Sequence, residues 1–237
     1  MCQNHPTDHA STPTLTRRGM LRLSALGGAA ALGGSLLRPR EADAAPWQEE
    51  IRTPDQALAA LMAGNRRFVH NQVTSAQRNL RCENQVPPKQ TPFASVLGCA
   101  DSRVPVELLF DRGWGEIFVC RSAGNIITSE LIGSLEYGAE VLNSKVVMVL
   151  GHADCGAVKA TMERTDAPGQ ISALYARIYP AVARAGGDMN RAIAENVRDQ
   201  VSLLTNASTV LARRIQAGTV KVVGGVYDVC SGEVRPV

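Results

Sequence analysis

The chain has 237 residues, of which 45% are hydrophobic and 20% charged, and a formal net charge of +3. That composition suits a single α/β domain with a sizeable core and excludes a disordered or collagen-like chain. So slight a charge imbalance argues against nucleic acid or an anionic membrane surface as the main partner.

At the start, Thr16, Arg17, Arg18, Gly19, Met20, Leu21 and Arg22 lead into a Gly/Ala/Leu run from Leu23 to Leu37, and Ala42-Asp43-Ala44 follows. A charged lead, a short apolar middle and an A-x-A site form an export signal, and the paired arginines resemble the twin-arginine route. Residues 1–44 are therefore expected to be removed, leaving 45–237 as one domain in the periplasm or an equivalent extracytoplasmic compartment, such as a thylakoid lumen. The apolar run is too short and glycine-rich to cross about 30 Å of hydrocarbon, so no stable membrane anchor is expected. Of the six cysteines, Cys2 would leave with the signal. Cys82, Cys99, Cys120, Cys155 and Cys230 remain, an odd number at irregular spacing that reads poorly as a disulfide framework.

Thr53-Pro54-Asp55-Gln56 carries a capping box with proline in the first turn, opening a helix whose stripe of Leu58, Leu61, Met62 and Phe68 runs to about Asn71. The polar stretch from Gln72 to Gln90 reads as a loop. An alternation then begins: strand Phe93 to Gly98, helix Val104 to Phe110, strand Glu116 to Cys120, helix Ser129 to Asn143, strand Lys145 to Leu150. This order implies right-handed crossovers and a mainly parallel sheet flanked by helices, an α/β fold. Helices follow over Cys155 to Arg164, Ile171 to Ala183 and Met189 to Gln216, the last striped by Ile193, Val197, Val201, Leu204, Leu211 and Ile215. Thr219 to Tyr227 is a final strand, and Cys230-Ser231-Gly232-Glu233 a turn.

One short pattern is written twice. VLGCADSR at 96–103 returns as VLGHADCG at 149–156, with His152 in the place of Cys99. Both copies close a predicted parallel strand, where open α/β sheets bind their ligands and where glycine would let the chain turn and project the next side chain over the sheet edge. Cys99 and His152 can then meet, and Cys155 joins them at H-x-x-C spacing. Two thiolates and an imidazole suit zinc, with a fourth corner free for water or substrate. On spacing alone, a small buried hydrophobe and a hydrogen-bonded core histidine remain alternative uses of these residues. Asp101 and Arg103 flank Ser102, and an arginine can hold a carboxylate with two hydrogen bonds, keeping it off the metal and free to orient an attacking hydroxide. A surface ion pair of little energetic consequence is the other use of that pair.

Cys99-x-Asp101-x-Arg103 and His152-x-x-Cys155 resemble the signature of the β-class carbonic anhydrases, and the resemblance extends from about Thr53 to Val234. It implies a Zn2+ enzyme that hydrates carbon dioxide reversibly to bicarbonate and a proton, working as a homodimer or larger homo-oligomer. By the same resemblance, Gln90 supplies a substrate-binding amide and Gly156 a backbone N–H donor. Phe118 and Tyr137 match aromatic pocket residues, Tyr137 arriving from the neighbouring subunit. Ala123 departs from the family's larger valine. Arg121 and Tyr227 match two parts of a second bicarbonate pocket whose tryptophan is here Val96, so Asp101 is expected to stay with Arg103. Two other readings remain: a hydrolase of carbon disulfide or carbonyl sulfide on the same scaffold, and a non-catalytic structural zinc or thiol-redox module.

Overall fold

The structure, a computed structural model, describes residues 51–74 and 89–237. The expected export signal over 1–44, most of the loop expected over 72–90, and Cys82 lie outside the described residues.

Helix α1 spans Pro54–Val69 and starts at its capping box. Thr53 Oγ1 accepts from the Gln56 N–H, and Gln56 Oε1 accepts from the Thr53 N–H, satisfying amides that a first helical turn leaves without partners. The inner face carries Ala57 and Leu61, then Gly64 and Asn65. A Cβ on Gly64 would lie 1.8 Å from the Phe110 carbonyl oxygen, so the helix meets a neighbouring backbone directly there. Asn65 is fully used: Nδ2 donates to the Leu109 and Gly232 carbonyls, and Oδ1 accepts from the Val234 N–H. One buried amide thus ties α1 to segments 44 and 169 residues away.

Strand β1 (Ala94–Cys99), helix α2 (Val106–Leu109), strand β2 (Ile117–Ser122), helix α3 (Ser129–Glu140) and strand β3 (Val146–His152) follow in the order that the sequence alternation implies. After them come α4 (Gly156–Glu163), α5 (Ser172–Ala185), α6 (Met189–Ala207), α7 (Thr209–Gln216), β4 (Lys221–Tyr227) and β5 (Val234–Pro236). The sheet order is β2-β1-β3-β4-β5. The first four strands are parallel, and β5 runs antiparallel to β4.

That order contains a reversal. The chain steps outward from β1 to β2, then returns past β1 to place β3 on its other side. Right-handed crossovers in opposite directions must use opposite faces of the sheet. Accordingly, Val106 and Leu109 of α2 pack with Val96, Met148 and α1 on one face, while Leu135 and Ala139 of α3 pack with Leu97, Val147 and the later helices on the other. The loops leaving β1 and β3 therefore part to opposite sides, and a crevice opens between those two strand ends.

Two expectations are corrected. The single helix expected over 189–216 is two helices, because Ser208 is extended and caps α7 with its hydroxyl, accepting from the Leu211 N–H while donating to Glu136. The stripe from Leu204 to Leu211 continues across the break, which concealed it from periodicity. Strand β5 was not anticipated; three residues ending in proline carry too little pattern, and the hairpin is closed by the Asp228 N–H on the Glu233 carbonyl.

Substituting Asn65 by alanine leaves two carbonyls and one amide unpaired in a dry site, so Asn65→Ala should lower unfolding free energy by about 2–4 kcal/mol. Chemical denaturation measures this, and a negligible loss would show that water replaces the side chain.

Candidate metal centre and active site

Cys99 ends β1 and His152 ends β3, so both stand at the crevice made by the reversal. Gly98 pairs with Leu150 in register, which brings the two strand ends level. The glycines of the repeated pattern do not act by turning the chain, as the sequence suggested: neither Gly98 nor Gly151 has a positive φ. Gly151 serves close approach instead, since a Cβ there would lie 2.6 Å from Val197 Cγ2 on α6. Gly98 is under no such pressure, its nearest contact being 3.4 Å. The turn that carries the chain from His152 to Cys155 is made by Asp154, whose φ is 53°. Cys155 then forms the N-cap of α4.

The ligand-type atoms of Cys99, His152 and Cys155 all lie within 4.8 Å of one another, and all three residues are buried. His152 Nδ1 is 2.9 Å from the Ala153 carbonyl oxygen, which can only accept, so the ring's proton sits on Nδ1. This leaves Nε2 with a lone pair, fully buried and without a hydrogen-bond partner. An orphaned imidazole nitrogen facing two thiols is an expensive arrangement unless a cation completes it. The residues therefore fit a thiophilic divalent metal. The Cys99 thiol is drawn strongly down, foremost by a hydrogen bond from Cys155 and against the effect of burial, with further donation from the Asp101 and Gly124 amides. Cys155 is pushed the other way by its bond to Cys99 and by burial.

Asp101 and Arg103 form the two-pronged contact that their spacing suggested. Arg103 Nε donates to Oδ1 at 3.0 Å and Nη2 to Oδ2 at 2.8 Å, and the Arg103 N–H adds a third bond to Oδ1. The guanidinium holds the Asp101 carboxyl well below the usual carboxylate range. Asp101 Oδ2 nevertheless remains 3.9 Å from His152 Nε2, at the edge of the cluster. Arg121 donates to the carbonyls of Cys99 and Asp101, bracing the loop that carries both. Val96 is buried in the core, and Tyr227 pairs in register with His152.

Gly156 follows Cys155 as the first residue of α4, with open space where a Cβ would stand. The remaining expected substrate residues lie elsewhere in the chain. Phe118 pairs with Ser95, four residues before Cys99, which is about 13 Å along the strand. Its ring centroid is 6.2 Å from that of Tyr137 on α3. Gln90 is exposed and precedes β1, at the amino end of the sheet. Within one chain these three are not brought to the cluster.

Sequence reasoning missed the support of the site. Asn196 and Gln200, both buried on α6, bond the loop that follows β2. Their signal was present: two amides set among the apolar residues of a helix stripe, where burial is costly unless each is paired. Cys120 and Cys230, whose pairing was open, are both free, one buried and one exposed.

Gly151→Ala should destabilise the fold by about 1–3 kcal/mol through overpacking. Combined with Val197→Ala, part of the loss should be recovered, a coupling of about 0.5 kcal/mol or more in a double-mutant cycle. Additive effects would mean that the contact is relieved elsewhere.

The carbonic anhydrase family profile matches residues 94–234, a span that contains the whole cluster. The chain is 37% identical over 190 residues to a carbonic anhydrase of Mycolicibacterium smegmatis, covering 77% of this chain and 92% of that protein. A solved β-carbonic anhydrase of Coccomyxa, in complex with acetazolamide, matches with a TM-score of 0.60 at 27% identity, over 76% of this chain and 86% of that one. One of two tetrameric β-carbonic anhydrases of the ascomycete Sordaria macrospora shares the fold, with a TM-score of 0.61 at 18% identity over 76% and 96% of the two chains.

Proposed function

Because this chain belongs to the β class of the carbonic anhydrase family and catalyses the reversible hydration of carbon dioxide to bicarbonate and a proton, we propose that Cys99, His152 and Cys155 hold the zinc of that family and that Asp101 and Arg103 are its catalytic pair. The observation that carries this reading is the convergence of two sulfurs and an unpartnered imidazole nitrogen, its lone pair free, at one crevice. When bound, zinc supplies Lewis acidity that lowers the pKa of water towards neutrality and makes hydroxide available as the nucleophile.

The protein's own residues do the rest. Arg103 keeps the Asp101 carboxylate ionised and turned along the edge of the cluster, where it accepts a hydrogen bond from the nucleophile and aims its lone pair at carbon. Arg121 holds the Cys99 to Asp101 loop at a fixed height by its two carbonyl contacts. The Gly156 N–H, at the start of α4, is placed to donate to a substrate oxygen.

The aromatic wall comes from a second copy in this reading. Phe118 and Tyr137 meet with tilted rings at the far end of β2, and Tyr137 is 46% exposed, with Val141 at 62% one turn further on. An exposed aromatic and aliphatic pair at the end of α3 favours burial in a homo-oligomer, with Gln90, Phe118 and Tyr137 of the partner subunit completing the pocket. Export by the Arg17-Arg18 signal is part of the same proposal and rests on the sequence alone. Among the described residues, no helix is long and apolar enough to cross a membrane.

Elemental analysis and stopped-flow hydration test the assignment together. The parent should carry one zinc per chain and Cys99→Ser should lose it; tight stoichiometric zinc in that variant overturns the ligand set. Asp101→Asn should keep zinc while turnover falls by roughly 10²- to 10⁴-fold. Near-parent turnover would reduce the pair to a structural ion bridge.

Among the described residues, no histidine besides His70 is left for proton removal once His152 is assigned to the metal. His70 caps the end of α1 on the surface, with Nδ1 2.7 Å from the Arg66 carbonyl. Turnover should therefore rise with external buffer concentration before levelling off. Rates independent of buffer would reveal an internal relay.

A further inference from the structure

We propose that Asn196 and Gln200 are positioning residues for the metal-binding sulfur of Cys99: by anchoring the Gly124 carbonyl and the Ile127 N–H they fix the conformation of the loop in which the Gly124 N–H donates to Sγ, and through that bond they govern how much charge the sulfur gives a bound metal. The proposal rests on Cys99 being a ligand.

The chain of contacts is short and buried throughout. Gln200 Nε2 donates to Asn196 Oδ1 at 3.2 Å, which fixes the way round of the Asn196 amide. Asn196 Nδ2 donates to the Gly124 carbonyl at 2.9 Å, and the Gly124 N–H donates to Cys99 Sγ at 3.3 Å. Gln200 Oε1 meanwhile accepts from the Ile127 N–H at 2.9 Å, pinning the other end of the loop to the same helix. Both amides are at most 2% exposed.

Gly124 itself fits only one way. Its φ is 69°, and a Cβ there would meet Ile178 Cδ1 at 2.8 Å. The left-handed backbone turns its N–H toward the sulfur, and α5 closes over the other side. A loop in this conformation needs external bonds to persist, and α6 provides them at both ends.

Two buried amides are a costly way to stabilise a helix stripe, since apolar residues flanking them at Ile193, Val197 and Leu204 fill the same face. Their retention is explained by what they hold. An N–H bond to a thiolate withdraws charge from the sulfur, and hydrogen bonds of this kind tune metal centres with sulfur ligands.

The test uses Asn196→Ala, with Val197→Ala as the control: a neighbour on the same helix that packs on Gly151 and makes no bond to the loop. Zinc affinity is measured by chelator competition, and the cobalt-substituted protein reports the sulfur directly through its thiolate-to-cobalt absorption band. Asn196→Ala should bind zinc about 10- to 100-fold more weakly, because the loop no longer holds the sulfur in place, and the band should move to lower energy because the sulfur has lost its donor. Val197→Ala should leave the band in place at a comparable loss of stability. If Asn196→Ala does not fold, Gln200→Glu carries the same test, keeping an acceptor for Ile127 while losing the donor to Asn196. A band unmoved in the folded variant overturns the proposal, whatever the affinity. Zinc retained at full affinity by Cys99→Ser overturns the ligand reading instead, so the two failures are told apart.

Discussion

The site depends on a reversal of direction in the sheet. Because β3 lies on the opposite side of β1 from β2, the loops leaving β1 and β3 part to opposite faces and leave a gap that no backbone fills. Cys99 and His152 are 53 residues apart in the chain and neighbours at that gap. Had the strands been added in simple succession, β1 and β3 would be separated by β2 and the ligands could not converge. The repeated V-L-G-x-A-D pattern is the local consequence of one requirement met twice: an apolar strand buried on both faces, ending in a side chain that can bind a metal.

A buried cluster of two thiols and an imidazole must also be made tolerable. Each sulfur would resist ionisation in an apolar surrounding, and the Cys155 thiol is pushed up first by its hydrogen bond with Cys99 and then by burial. The compensation is arranged around the cluster: amides of Asp101 and Gly124 on Cys99, and those of Ala157 and Val158 acting on Cys155 at the start of α4. Asp101, the adjacent carboxylate, is diverted to Arg103 by three hydrogen bonds. That diversion matters because a third anion beside two thiolates would repel them and compete for the metal. Arg103 is half exposed, so its contribution is orientation more than stability.

What was legible in the sequence follows from physical range. The capping box of α1, the parallel strands and the Cys99–Asp101–Arg103 group depend on residues within a few positions, and pattern reads them directly. The meeting of Cys99 with His152 was legible because strand ends in an open α/β sheet point to one edge. The break at Ser208 was hidden because the apolar stripe runs through it, while the deciding bond goes to Glu136, 72 residues away. Asn196 and Gln200 were passed over for the same reason: their partners, Gly124 and Ile127, are 72 and 73 residues distant, and nothing local marks the carbonyl or amide that each will meet. Gly98 and Gly151 look equivalent in the repeat and are not, since only Gly151 faces a helix at close range.

The division of labour within the chain then has a consequence for assembly. Cys99, His152 and Cys155, the proposed metal ligands, and the proposed catalytic pair Asp101 and Arg103 are held by contacts internal to one chain, at the carboxyl ends of β1 and β3. Phe118 and Tyr137, by contrast, occupy the other end of the sheet, where they touch each other and leave Tyr137 exposed. A chain that bound metal but met no partner would have a reactive centre open to water on its substrate side. Carbon dioxide carries no charge and offers little for hydrogen bonds to grip, so an apolar wall is the main means of concentrating it beside the nucleophile. On the proposal that a second copy supplies that wall, substrate binding is linked to assembly, while metal binding depends on the folding of each chain alone.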